Sequence, residues 1–306
     1  MRRHGRGLAE CALLWPTAPS NSYPQEFMTG TSHSRLARFA VSAYAAPRNC
    51  TAERFCRLLA DRGFGGLGLT QREVDALAPK ELRRMLGAHG LRATSLNSAG
   101  YVLHADPSAA RAQAAYDDRL FAAAAELGAL INLIPGGLLH AAPETSVEEA
   151  RQRAAEGVAR FAERARREGA RLALESFHPM AIGSRGCINQ ISAALAAIAP
   201  FPCMGLTLDL HHSWWDADLE ALFQQHAERV ELIQICGIEL PADGSAPRRA
   251  ELGASRSQEV RRVLSLAAAG GYSGAIEYEV FHDQLGSPDV EALLNRAAAC
   301  LLALTE

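Results

Sequence analysis

From Leu36 onward the chain alternates two patterns. Short runs rich in apolar residues are followed by longer segments in which apolar positions recur every three or four residues. Residues 38–44 (RFAVSAY) read as a strand, and 51–61 as a helix behind a Thr51 cap. Further strands are predicted over 65–69, 91–96, 130–134, 171–174, 204–208, 230–235 and 275–280. Helices are predicted over 79–89, 108–127, 147–168, 188–198, 218–227, 258–269 and 289–303. Pro79 stands in a first turn, while Gly90 and Gly128 stand just past helix ends.

Strict strand-then-helix alternation implies parallel strands joined by helical crossovers. Eight such units predict an α/β fold of the (β/α)8 TIM barrel type, not an open doubly wound sheet. No G-x-G-x-x-G follows the first strand, which weakens a dinucleotide-binding reading. No linker interrupts residues 36–303, so 34–306 are expected to form one barrel domain. Residues 1–33 mix Pro, Ser, Thr and Gly without periodicity, and are expected to be a flexible leader or a start-site extension. Arg2, Arg3 and Arg6 before residues 8–15 faintly resemble an export signal, but Glu10 interrupts the short apolar core.

Chemistry in such a barrel sits where strands end. Strand five leads into Glu175 and strand six into Asp209, with His211 and His212 beyond; strand seven contains Gln234, and strand eight contains Glu277 and Glu279. Three carboxylates at one mouth repel unless a cation joins them or their pKa values rise. A divalent metal answers that need. Oxygen ligands favour Mn²⁺ or Mg²⁺, with Co²⁺ as a further candidate. Glu175, Asp209, Gln234 and Glu279 are the expected ligands. Glu277 lies on the same strand face as Glu279 and is read as a deeper residue pairing with an arginine. His211 and His212 are adjacent and are expected to point to different sides. Trp214 and Trp215 either pack internally or wall a sugar-stacking surface. Cys236 reads as a small buried hydrophobe. Arg248 and Arg249 either serve a substrate phosphate or stand as a solvated loop pair.

The full chain has 306 residues and a formal charge of −3, with no basic stripe, so a duplex nucleic-acid partner is not expected. No apolar run reaches the ~18 residues of a membrane helix. The seven cysteines are irregularly spaced without C-x-x-C, against a disulfide framework or thiolate zinc site and for a reducing, cytoplasmic setting.

Three stretches carry a family resemblance: LALESFHPM (172–180), LTLDLHHSWWDADL (206–219) and GGYSGAIEYEVF (270–281). Over about residues 35–303 the chain resembles the sugar phosphate isomerase/epimerase family of xylose isomerase-like TIM barrels. The resemblance implies a divalent-metal-dependent isomerase or epimerase of carbohydrate metabolism, acting on a sugar, ketose or polyol through an enediolate. It implies Glu175 and Glu279 as catalytic residues and His178, Arg185 and His212 as substrate-binding candidates, beside which Trp214 and Arg249 stand as substrate-binding candidates from the residue reading above. Two positions depart from the family pattern. The strand-seven H-x-x-D appears as Gln234-Ile235-Cys236-Gly237, and the R-x-x-x-G-x-G loop as Arg249 to Ser255 without its second glycine. A dehydratase of a cyclitol or keto acid, and a catalytically impaired barrel acting as a binding partner, are the alternative readings. Homodimer formation stays open.

Overall fold

The computed structural model describes residues 35–253 and 257–304. The expected leader, residues 1–33, lies outside them, as do Ala254 and Ser255 of the departing loop.

Eight parallel strands close into a barrel, and helices cover its outside. The strands are β1 (Phe39–Ser42), β2 (Gly66–Leu69), β3 (Arg92–Gly100), β4 (Leu130–Ile134), β5 (Arg171–Glu175), β6 (Met204–Asp209), β7 (Val230–Ile235) and, after a hairpin, β10 (Ala275–Tyr278). Around the barrel they run β1-β10-β7-β6-β5-β4-β3-β2. Parallel neighbours require crossovers, and the amphipathic segments supply them. Their ends follow local chemistry. The Thr51 hydroxyl accepts from the Arg54 N–H ahead of helix Ala52–Ala60, and the Ser146 hydroxyl does the same for Glu149 ahead of helix Val147–Glu168. The latter helix stops at Gly169, whose φ of +67° suits a residue without a Cβ.

The single helix expected between strands two and three is two, Gln71–Ala76 and Pro79–Ala88, because Pro79 has no N–H to continue the first and opens the second. Strand three runs on to Gly100, four residues past its expected end at 96, pairing Asn97 with Asn132 and Gly100 with Ile134. An added pair, β8 (Gly237–Glu239) and β9 (Arg248–Ala250), forms an antiparallel hairpin separate from the barrel sheet.

The period-2 alternation of the strands sorts the barrel into two environments. Outward residues such as Phe39, Val41, Leu67 and Leu69 join the main core beneath the helices. Inside, Leu130, Ala173, Leu232 and Ala275 form a separate small apolar cluster. Two residues further along each of those strands stand Asn132, Glu175, Gln234 and Glu277, all buried. The interior is therefore greasy at its base and polar towards the carboxyl ends. Gly68 makes room for this polar layer: a Cβ there would lie 2.7 Å from Glu277 Oε2 and 2.8 Å from Ser95 Oγ.

Candidate active site

Glu175 ends β5, Asp209 ends β6, and Glu279 follows β10, its N–H still bonded to the Ile235 carbonyl at 2.9 Å. All three are buried at the carboxyl end of the barrel. Glu175 and Glu279 stand three strands apart in the eight-stranded ring, with Asp209 between them.

A buried chain of polar side chains runs beneath the two glutamates. Asn132 Nδ2 donates to Glu175 Oε2 at 2.5 Å and to Asn97 Oδ1 at 3.2 Å. Asn97 Nδ2 donates to Ser95 Oγ at 2.9 Å. Ser95 and Thr94 hydroxyls both bond Glu277, the latter at 2.5 Å. Gln234 Nε2 then bridges Glu277 and Glu279, at 3.2 Å to each. Glu277 thus lies deeper than Glu279, as expected, but its partners are hydroxyls and an amide and not an arginine. Hydrogen bonds of this kind lessen the cost of burying the carboxyls and fix their direction.

Asp209 is held by the hairpin. Arg249, paired with Ile238 across β8 and β9, donates from Nη1 to Asp209 Oδ1 at 3.1 Å and from Nη2 to Oδ2. Nη2 also lies 3.0 Å from Glu279 Oε2. The two arginines expected to share one fate are separated: Arg248 is exposed, while Arg249 is buried in this ion pair. Gly237 lets the hairpin close, since a Cβ there would sit 2.3 Å from the Glu251 carbonyl oxygen.

The charges settle accordingly. Burial, with the charges of Asp209 and Glu279 added, raises the Glu175 carboxyl well above the ordinary range. Burial lifts Glu279 to about 8 even though Arg249 pulls it down. Burial would raise Asp209 too, but Arg249 and His212 outweigh it and hold that carboxyl at about 2. Near neutrality Asp209 and Arg249 form a standing ion pair, while burial shifts both flanking glutamates towards their protonated forms.

The remaining candidates have the following neighbours. His212 Nε2 lies 3.8 Å from Asp209 Oδ2, and its ring packs on Phe177 with centroids 4.5 Å apart. His211 and His212 do not point apart; their rings meet edge-on at 4.8 Å. His178 stands edge-on to Trp215 at 5.5 Å, whereas Trp214 packs against the core. Arg185 Nη1 donates to the Tyr101 hydroxyl at 3.1 Å. Cys236 is buried, its thiol pushed up to about 12 mainly by burial.

Sequence reasoning missed Tyr44, Tyr101 and Asn132. Tyr44 follows β1, packs against Phe281 with ring centroids 4.6 Å apart and feels the charges of Glu279, Arg185 and Glu175. Tyr101 follows β3. Applying the strand-end rule to strand one would have found Tyr44, and the lone polar residue in LINLI would have flagged Asn132; Tyr101 lies five residues past the expected end of strand three and carried no such signal.

Glu175, Asp209 and His212 each offer a ligand atom, all within 4.8 Å of one another, and so form a candidate metal triad. Their other bonds do not suit a metal. His212 Nδ1 accepts from the His178 N–H at 3.4 Å, which leaves the proton on Nε2; a metal-binding imidazole needs the reverse, its second nitrogen donating. Both oxygens of Asp209 serve Arg249. Gln234 turns its amide N–H groups, not its oxygen, to the glutamates. The residues expected as ligands do not fit a divalent cation while Arg249 is seated.

The fold has many solved counterparts. A protein from Sinorhizobium meliloti 1021, SMc04130, matches with a TM-score of 0.77 and 23% identity, over 87% of this chain and 98% of its own. An L-ribulose 3-epimerase matches at 0.67 and 20% identity, over 87% and 94% of the two chains. The IOLI protein, crystallised with a zinc atom, matches at 0.70 and 15% identity, over 87% and 97%. At these identities the likeness shows the fold alone. No curated protein matches the sequence. The sequence profile described as "Xylose isomerase-like TIM barrel" matches residues 56–304, and the chain belongs to that family.

Proposed function

We propose that the protein is an isomerase or epimerase that moves a proton on a hydroxycarbonyl substrate, a small sugar, ketose or oxidised polyol. The observation that carries this reading is the pair of buried glutamates, Glu175 and Glu279, three strands apart at the barrel mouth, with Asp209 and its ion pair to Arg249 on a strand between them. One carboxylate takes the proton from the carbon beside the carbonyl, and the other, as the acid, returns a proton on the opposite face. Burial favours the acid form of both, which suits one of them to donate near neutral pH. Asn132 and Gln234 hold the two carboxyls in direction. Tyr44, Tyr101, Arg185 and His178 supply hydroxyls, a cation and an imidazole to bind substrate oxygens, with Trp215 as a stacking face. Family membership and the fold shared with an L-ribulose 3-epimerase and a D-psicose 3-epimerase support the same class. The Mn²⁺ or Mg²⁺ anticipated from the strand ends is not required to hold the carboxyls together, because Arg249 offsets their charge.

The test is a panel of ketoses and aldoses incubated with the purified full chain in D₂O and read by NMR. Deuterium uptake beside a carbonyl, lost in Glu175→Gln and Glu279→Gln, is the expected result. No uptake from any substrate, or uptake undiminished in both variants, would overturn the reading. A product lacking water would instead identify the lyase alternative.

A further inference from the structure

Carboxylates gathered at one barrel mouth need a cation among them. This chain carries one covalently. The Arg249 side chain is only 5% exposed, and its guanidinium lies between two of the three carboxyls. Nη1 also faces the Glu279 carbonyl oxygen at 3.4 Å and the Cys236 sulfur at 3.6 Å. The Phe281 ring centroid lies 5.2 Å from Cζ. A planar fork meeting one carboxylate on two bonds, with an aromatic face beside it, is the arrangement in which arginine outperforms a point charge.

Independent features hold it there. The β8–β9 hairpin delivers Arg249 from outside the barrel sheet, and Gly237 permits its close approach to Glu251. The neutral Gln234 occupies the strand-seven position with its donors turned to Glu279. His212 is bonded in the tautomer that a metal would have to reverse.

We infer that Arg249 is the resident cation of this site, so that the carboxyls stay assembled without a divalent metal and the guanidinium is the electrophile of the reaction. The electrophile role rests on the isomerase reading; the cation role does not. In the enolisation, a carboxylate takes the proton from carbon. The C–H electron pair forms the new C=C bond, the carbonyl π pair moves to oxygen, and Arg249 stabilises the resulting negative oxygen. Return of a proton to carbon restores the carbonyl, and no oxidant or reductant is consumed.

The test is calorimetric titration of chelator-treated full chain with Mn²⁺ alone, beside Arg249→Ala and Arg249→Lys. Wild type is expected to show no Mn²⁺ binding tighter than about 1 mM. Removing the guanidinium exposes Asp209 and Glu279 to the ion, so Arg249→Ala is expected to bind one Mn²⁺ at least ~10-fold more tightly than wild type. Arg249→Lys keeps a cation at the mouth and is expected to bind Mn²⁺ less well than Arg249→Ala. Stoichiometric micromolar binding by wild type would overturn the inference, as would no gain in Arg249→Ala. If Arg249→Ala does not fold, a Lys variant that binds no more tightly than wild type supports the inference, and wild-type binding still refutes it. No substrate enters this measurement, so a failure of deuterium exchange counts against the isomerase reading and leaves the cation result standing.

Discussion

On the β5–β6 side of the mouth, Glu175 and Asp209 stand at strand ends, with Asn132 beneath one and His212 beside the other. On the β7–β10 side, Gln234 stands in a strand and Glu279 follows one, but the group that joins Asp209 to Glu279 comes from a hairpin outside the barrel. The first side keeps the acidic pattern of its family resemblance. The second departs from it at Gln234 and in the loop after Arg249, and it is the side that supplies an internal positive charge. The difference teaches that a barrel mouth can keep its carboxyls while changing what holds them together. Charge has to be offset somewhere, and a guanidinium and a divalent ion compete for the same oxygens.

The largest expected effect comes from breaking either side at its acid. Glu175→Gln or Glu279→Gln should lower solvent exchange by about 10²–10⁴-fold with the fold intact, as measured by proton exchange rates and circular dichroism. Next, Arg249→Ala leaves Asp209 buried and uncompensated. In chelator, denaturant unfolding should show a loss of about 3–5 kcal/mol, and added Mn²⁺ should recover part of it.

Asp117 provides a control away from both sides, holding the end of β3 by accepting from the Gly100 N–H and Gln113. Burial raises its carboxyl from 3.8 to about 6 despite those bonds. The native state therefore binds the proton more tightly than the unfolded chain. The stability this brings is complete below pH 3.8 and is lost as pH rises through 6, a fall of about 3 kcal/mol. Asp117→Asn, which keeps the accepting oxygen, should flatten that part of the stability–pH curve. Smaller still, Gly237→Ala forces β8 away from Glu251 and should cost about 1–3 kcal/mol. Because β9 carries Arg249, the same variant should bind Mn²⁺ more readily than wild type in the calorimeter.

The barrel was legible because each strand is short, apolar and followed by an amphipathic helix, and parallel strands leave few other topologies. Glu175, Asp209 and Glu279 were legible as one group because they fall at or just past strand ends, which the barrel gathers at one face. What local pattern does not carry is the pairing of residues far apart. Asn132 meets Glu175 across 43 residues and Arg249 meets Asp209 across 40, and neither lies in a periodic motif that names its partner. The hairpin was missed because each of its strands has only three residues and the segment between them lacks alternation. Gln234 was placed correctly in its strand, but which end of its amide faces Glu279 follows from neighbours that only the closed barrel assembles.

The most direct measurement is deuterium incorporation from D₂O into a turned-over ketose by the chelator-treated full chain. Removal of a carbon-bound proton by one of Glu175 and Glu279, and return of a solvent-derived proton by the other, predicts deuterium at the carbon beside the carbonyl in wild type, and its loss in either glutamine variant. Turnover that leaves that carbon fully protonated would contradict the account.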